Sequence, residues 1–114
     1  SGAVLGWIDR LAGGVPFYVQ MAASLLWQYG WQPGNLGEAE REFRFQARPR
    51  LLELWRGLNG MEQGLIGDLA LGHGPLEGQR VLLDRLQRNG LVRPTGESFS
   101  EVFAEIVVEQ RGRG

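Results

Sequence analysis

Apolar positions along the chain recur at intervals of three and four almost throughout, and glycine or proline breaks divide them into helix-length segments. Val4, Leu5, Ile8 and Leu11 form one helical face, and Gly13-Gly14 follows where glycine ordinarily ends a helix. Pro16 suits the first turn of a second helix, where its missing N–H is not needed. That helix carries Tyr18, Met21, Ala22, Leu25, Leu26 and Tyr29. Its apolar surface covers most of the circumference, which predicts a central buried position. Gly30 is the expected stop, and Trp31 to Gly37 reads as a turn rich in Pro and Gly. A third helix begins near Leu36, with Asn35 as N-cap and Glu38, Glu40 and Glu42 near its positive end. It runs through Phe43, Phe45 and Ala47. Pro49 is expected to kink or split it and to push Arg48 away from α geometry. Helix resumes through Leu51, Leu52, Leu54 and Trp55 as far as Gly57.

The second half has a different punctuation. Asn59-Gly60-Met61-Glu62 carries capping-box spacing, and Met61, Leu65, Ile66, Leu69 and Ala70 follow as a helix. Gly72-His73-Gly74-Pro75 is a break. The next helix is expected from Leu76 to Arg88, with Val81, Leu82, Leu83 and Leu86 inward and Asn89-Gly90 at its end. Leu91-Val92-Arg93-Pro94 and Glu97-Ser98-Phe99-Ser100, around Thr95-Gly96, read as two very short strands of a hairpin. A last helix from Glu101 to Gln110 turns Val102, Phe103, Ile106 and Val107 inward, and Arg111 to Gly114 reads as frayed. The expected fold class is mostly α: a helical, lid-like subdomain over residues 3–57, then a winged-helix domain over 58–110 with a two-stranded wing. Helix, break, helix, hairpin, helix is the outline of that second unit.

Composition narrows the chemistry. The 114 residues contain 43% hydrophobic and 22% charged side chains, the balance of a globular protein with a core. There is no cysteine, so disulfides and thiolate metal sites are excluded, and the single His73, in a polar loop, reads as an exposed loop histidine. No apolar run approaches the ~20 residues needed to span a bilayer, and no basic start with an apolar run marks a signal peptide. No membrane partner and a cytoplasmic location are therefore expected. Ser1-Gly2 reads as a remnant of excision from something longer. All 12 basic residues are arginine, and the net charge is −1, which argues against a general polyanion binder.

The segment Gly13-Gly14-Val15-Pro16-Phe17-Tyr18-Val19-Gln20 resembles the lid of the STAND and archaeal-type ATPases, relatives of the AAA+ proteins. From Leu58-Asn59-Gly60-Met61-Glu62-Gln63 to Leu86-Gln87-Arg88-Asn89-Gly90-Leu91-Val92, the chain is similar to the winged helix that often follows such lids. The resemblance implies a nucleotide-dependent switch in which the lid helix begins beside the bound nucleotide. Gly13, Gly14, Val15 and Pro16 are the positions it places near that nucleotide. A helix N-terminus offers free N–H groups and a positive dipole end, and glycine lets backbone approach a ligand closely. The same four residues are equally readable as a plain connector between two helices.

One departure from that family decides the question of activity. No Gly-x-x-x-x-Gly-Lys-[Ser/Thr] is present, and without lysine none can be. The chain is therefore expected to be non-catalytic and to hold no cofactor itself. ATP or ADP would be held by an upstream P-loop domain, which becomes the first expected partner, with another protein as the second.

Nucleic acid is the alternative partner. The helix ending at Arg88 would be the recognition helix, with Arg80, Gln87 and Arg88 as possible contacts to bases or phosphates. Over 61–110, however, four arginines face eight carboxylates, a net −4 where a DNA-binding face is ordinarily basic. Arg41, Arg44 and Arg48 lie near one face of the third helix, interspersed with Glu38, Glu40, Glu42 and Glu53. They read as a self-paired surface, with a contact face for the P-loop domain as the other reading. Trp27 and Trp55 read as core, and Trp31, in the turn, as exposed. A mobility-shift titration at two salt concentrations separates the partners. The protein-docking reading expects no salt-sensitive shift, whereas a steep loss of binding on raising salt would favour a DNA-binding regulator.

Overall fold

Six helices account for most of the structure, a computed structural model in which residues 2–113 are described. They are α1 (Gly2–Ala12), α2 (Pro16–Tyr29), α3 (Leu36–Gly57), α4 (Gly60–Ala70), α5 (Arg80–Arg88) and α6 (Glu101–Arg113), with a short 3₁₀ turn at Pro33–Asn35 before α3. α1, α2 and α3 pack in sequence, and α6 lies against α1, α3 and α4 together. α5 is peripheral and buries only Leu86.

The core follows the helical spacing. α3 buries Ala39, Phe43, Ala47, Leu51 and Trp55, an unbroken row four residues apart. α6 buries Val102, Phe103, Ile106 and Val107, the four positions expected. These join Trp7 and Leu11 of α1, Leu25 and Leu26 of α2 and Leu65 of α4 in one continuous cluster. Each large side chain removed from water there contributes about 1.5–3 kcal/mol. The capping box at the start of α4 is complete: Glu62 N donates to Asn59 Oδ1, and Asn59 N donates to Glu62 Oε1, both at 2.8 Å.

Several expectations are corrected. α3 is not split at Pro49, which lies inside one continuous helix. The amide that proline lacks would have bonded the carbonyl of Phe45, and both residues are exposed, so the loss falls on the solvent side. Packing of the inner row across that point offsets a cost of about 3 kcal/mol. Asn35 stands at the N-cap position of α3 with αR geometry and no side-chain cap bond, because the 3₁₀ turn leads directly into the helix. α5 starts at Arg80, four residues late. Gly78 takes φ +93°, and Gln79 closes a turn by accepting from Leu76 N at 2.7 Å. Val81 is then 80% exposed instead of inward. Trp27, read as core, is also 80% exposed, whereas Trp55 is buried and Trp31 exposed as expected. Residues 111–113 continue α6, with Arg111 paired to Asp68 at 3.2 Å, and Gly114 lies outside the described residues.

The expected hairpin is reduced to one antiparallel bridge between Val92 and Ser98. Arg93 N donates to Glu97 O at 2.7 Å and Phe99 N to Leu91 O at 3.1 Å, and no further ladder forms among the described residues. Pro94 has no N–H to extend it, and the carbonyls of Ser98 and Phe99 are taken by the Arg93 guanidinium instead.

Charges line the seam between the two halves. Arg10 pairs with Glu40 at 2.6 Å and with Glu101, Arg44 with Glu40 at 3.0 Å and with Glu105, and Arg48 with Glu109 at 2.6 Å. The arginine face of α3 is thus matched chiefly by carboxylates spaced four apart on α6, across helices. Burial pushes the Glu40 carboxyl up, but the guanidiniums of Arg10 and Arg44 more than offset this and hold it below the usual carboxylate range. A depressed carboxylate stabilises the fold above the unfolded pKa and ceases to do so as pH falls through its folded value. Glu40→Gln should therefore cost about 1 kcal/mol near neutrality. Urea unfolding should show that deficit shrinking as pH drops below about 4.3.

Candidate functional site

The turn joining α1 to α2 is the candidate built from the sequence, and its geometry is set by one glycine. Gly13 is buried with φ +58°. A Cβ there would stand 2.4 Å from the carbonyl oxygen of Phe99. No other residue type can occupy this point without moving the segment that enters α6. Gly14 and Pro16 are exposed and Val15 is half-buried.

α2 begins without a side-chain cap. Val15 stands at the N-cap in extended geometry, and its carbonyl accepts from Tyr18 N at 3.1 Å and Val19 N at 3.0 Å. Among the described residues the amides of Gly14 and Phe17 have no backbone acceptor outside the helix ladder, and Pro16 has no N–H to offer. The guanidinium carbon of Arg50 lies 4.4 Å from the centre of the Phe17 ring. Burial pushes the Tyr18 phenol up, and Arg50 offsets part of that shift. Two amides without a backbone acceptor and the positive end of the α2 dipole favour an anion at this turn.

The far side of the same turn is clasped by Arg93. Its guanidinium donates to Asp9 Oδ2 at 2.9 Å, Asp9 O at 2.7 Å, Phe99 O at 2.9 Å and Ser98 O at 3.2 Å. Gly13 N donates in turn to Asp9 O at 2.8 Å. The end of α1, the bridge turn and the start of α6 thus meet at a few shared carbonyls. Ser100, buried, follows at once, and its Oγ accepts from Phe103 N at 3.3 Å as the cap of α6.

Arg50, Arg93 and Phe99 were not identified as site residues by sequence reasoning. Their partners are 33, 84 and 86 positions away, so no local pattern announces them. Arg80, Gln87 and Arg88 are not gathered at this turn. Arg80 is exposed, Gln87 Nε2 donates to Arg93 O at 3.1 Å, and Arg88 pairs with Asp84 along its own helix. An open cleft of about 580 Å³ lies beside the clasp, lined by Asp9, Arg10, Arg93 and Glu101 among others. Both of its arginines are already engaged by carboxylates. Among the described residues no group of three or more His, Asp or Glu could hold a metal ion, and His73 is exposed. No helix is long and apolar enough to cross a membrane.

No protein-family model, curated protein or solved structure matches the chain. The turn must therefore be judged on its own geometry. Gly13→Ala should cost about 2–3 kcal/mol, from the left-handed backbone and the blocked approach to Phe99. Gly14→Ala, with nothing within 4 Å of the added Cβ, should be close to neutral. Chemical denaturation of the two variants side by side checks the contrast, and equal losses would refute it.

Proposed function

We propose that this chain is the non-catalytic C-terminal portion of a nucleotide-dependent switch ATPase, in which a helical lid reads the nucleotide and a winged helix carries its state to protein partners. In this reading residues 3–57 are the lid. Residues 58–110 are the winged helix: α4, α5, the bridge turn as a minimal wing, and α6. ATP or ADP is held by an upstream P-loop domain, the first partner, and the turn Gly13, Gly14, Val15 and Pro16 lies near its phosphates, presenting the amides of Gly14 and Phe17 to them.

The observation that carries the proposal is the back-to-back arrangement at Gly13. The turn leaves the amides of Gly14 and Phe17 without a backbone acceptor, and at Gly13 it rests on the Phe99 carbonyl at the entrance to α6. A ligand that pulls on residues 14–17 therefore pulls on a joint shared with α6. Such a ligand shifts an equilibrium only through contacts that differ between two states, and here the differing contact would be phosphate against free N–H.

Docking on protein is favoured over DNA by two of the three residues that would read DNA. Gln87 is spent on the carbonyl of Arg93, and Arg88 is paired with Asp84. The net −4 over 61–110 opposes phosphate as well.

Hydrogen exchange on the chain bound to its P-loop domain, loaded with ATP and then with ADP, tests the proposal. Protection at the amides of Gly14, Val15 and Phe17 and of 98–101 should change together between the two nucleotides. A pattern identical in both, or a change at 14–17 that leaves 98–101 untouched, would refute the relay.

A further inference from the structure

We propose that the chain self-associates through the outer face of α2, as an antiparallel two-fold dimer centred on Ser24. α2 has two faces. Tyr18, Ala22, Leu25 and Leu26 are buried against α1 and α3. Phe17, Gln20, Ser24, Trp27 and Gln28 are exposed, and at about 100° per residue they share an arc of about 100° on the opposite side. Trp31 lies just past the helix end, but its ring meets that of Trp27 edge-on, with centroids 6.4 Å apart, so it extends the same patch.

Two features of this face point to a second copy as the occupant. First, no residue of α2 is charged, although 22% of the chain is. A solvent-facing helix ordinarily carries charge on its outer side. Trp27 is 80% exposed, Trp31 48% and Phe17 44%, the residue types that anchor interfaces.

Second, the pattern is largely its own mirror about Ser24, broken only where Trp27, three residues on, answers to Met21 three residues back. Gln20 and Gln28 stand four residues to either side, and Phe17 and Trp31 seven. In an antiparallel pair crossing at Ser24, each glutamine meets the other copy's glutamine, amide to amide. Each Phe17, with Arg50 already stacked on it, meets the other copy's Trp31. A two-fold interface requires this self-complementarity, and the small serine at the crossing lets the helices approach closely.

The size of the contact sets its strength. An aromatic side chain buries about 150–250 Å² when fully covered. Three partly exposed aromatics per copy, with the polar residues between them, give on the order of 1,000 Å² in total, at the weak end of specific interfaces. The dimer is therefore concentration-dependent.

The absence of cysteine makes a direct test available. At helix separations of about 9–10 Å, the two Ser24 Cα atoms fall within disulfide reach of about 4.4–6.8 Å. Under mild oxidation Ser24→Cys should form a covalent dimer at least about tenfold faster than Glu53→Cys, an exposed position on α3. Sedimentation of the unmodified chain should show a dimer that grows with concentration, and Trp27→Glu should weaken it by about tenfold or more. Because Trp27 lies outside the core, the variant should melt like the parent. A monomer at every concentration, or equal cross-linking of Ser24→Cys and Glu53→Cys, would overturn the proposal. A chain that stays monomeric and buries Trp27 only on binding a different protein would overturn it too, assigning the face to that partner.

Discussion

The carbonyl of Phe99 is where the two halves of this protein are joined. It accepts from Arg93, and its oxygen leaves no room for a side chain at Gly13. A buried carbonyl must find a donor, and the guanidinium that supplies one also holds Asp9, in the last turns of α1. The fork of Arg93 therefore ties three segments that are far apart in sequence, and a lysine could not reproduce its geometry. With that clasp in place, α6 starts at a fixed point relative to the turn that begins α2.

From that point α6 behaves as a common wall. Its apolar positions enter the same core as those of α1, α3 and α4. Its carboxylates at Glu101, Glu105 and Glu109 face arginines of α1 and α3. Exposed ion pairs contribute little individually, and the buried row beneath carries most of the stability. The charges instead oppose slippage: a shift of one residue along α6 would move all three carboxylates off their arginines. A boundary near Leu58 marks a turn in the chain, but the core runs across it.

The strength of local signals explains what could be read in advance. The stops at Gly13 and Gly30, the start at Pro16, the capping box at Asn59 and the inward face of α6 are decided by residues within a few positions of one another, and these were legible. Pro49 was misjudged because its cost is local while the packing that offsets it comes from α2 and α6. Val81 was misjudged because a left-handed Gly78 delays α5 and leaves its first turn at the surface. Trp27 was misjudged by residue type: a large aromatic normally lies in a core, and this one lies opposite it. The site divides the same way. Gly13 to Pro16 could be singled out from glycine and proline chemistry, whereas Arg93, Arg50 and Phe99 depend on contacts made only once the helices assemble.

α2 draws these strands together. Its sequence is uncharged all round and apolar over most of its circumference, which ordinarily means burial, yet only one side is covered by α1 and α3. A helix cannot keep an uncharged aromatic face in water without cost, since each exposed apolar square ångström forgoes about 25 cal/mol. Surface helices avoid that cost by placing charge there, as α3 does with Glu38, Arg41 and Glu53. α2 does not do so, and Phe17, Trp27 and Trp31 stay open to solvent on or beside it. The joint at Gly13 then acquires its significance: whatever covers or releases α2 acts on a helix whose first turn is one residue pair away from the clasp that positions α6.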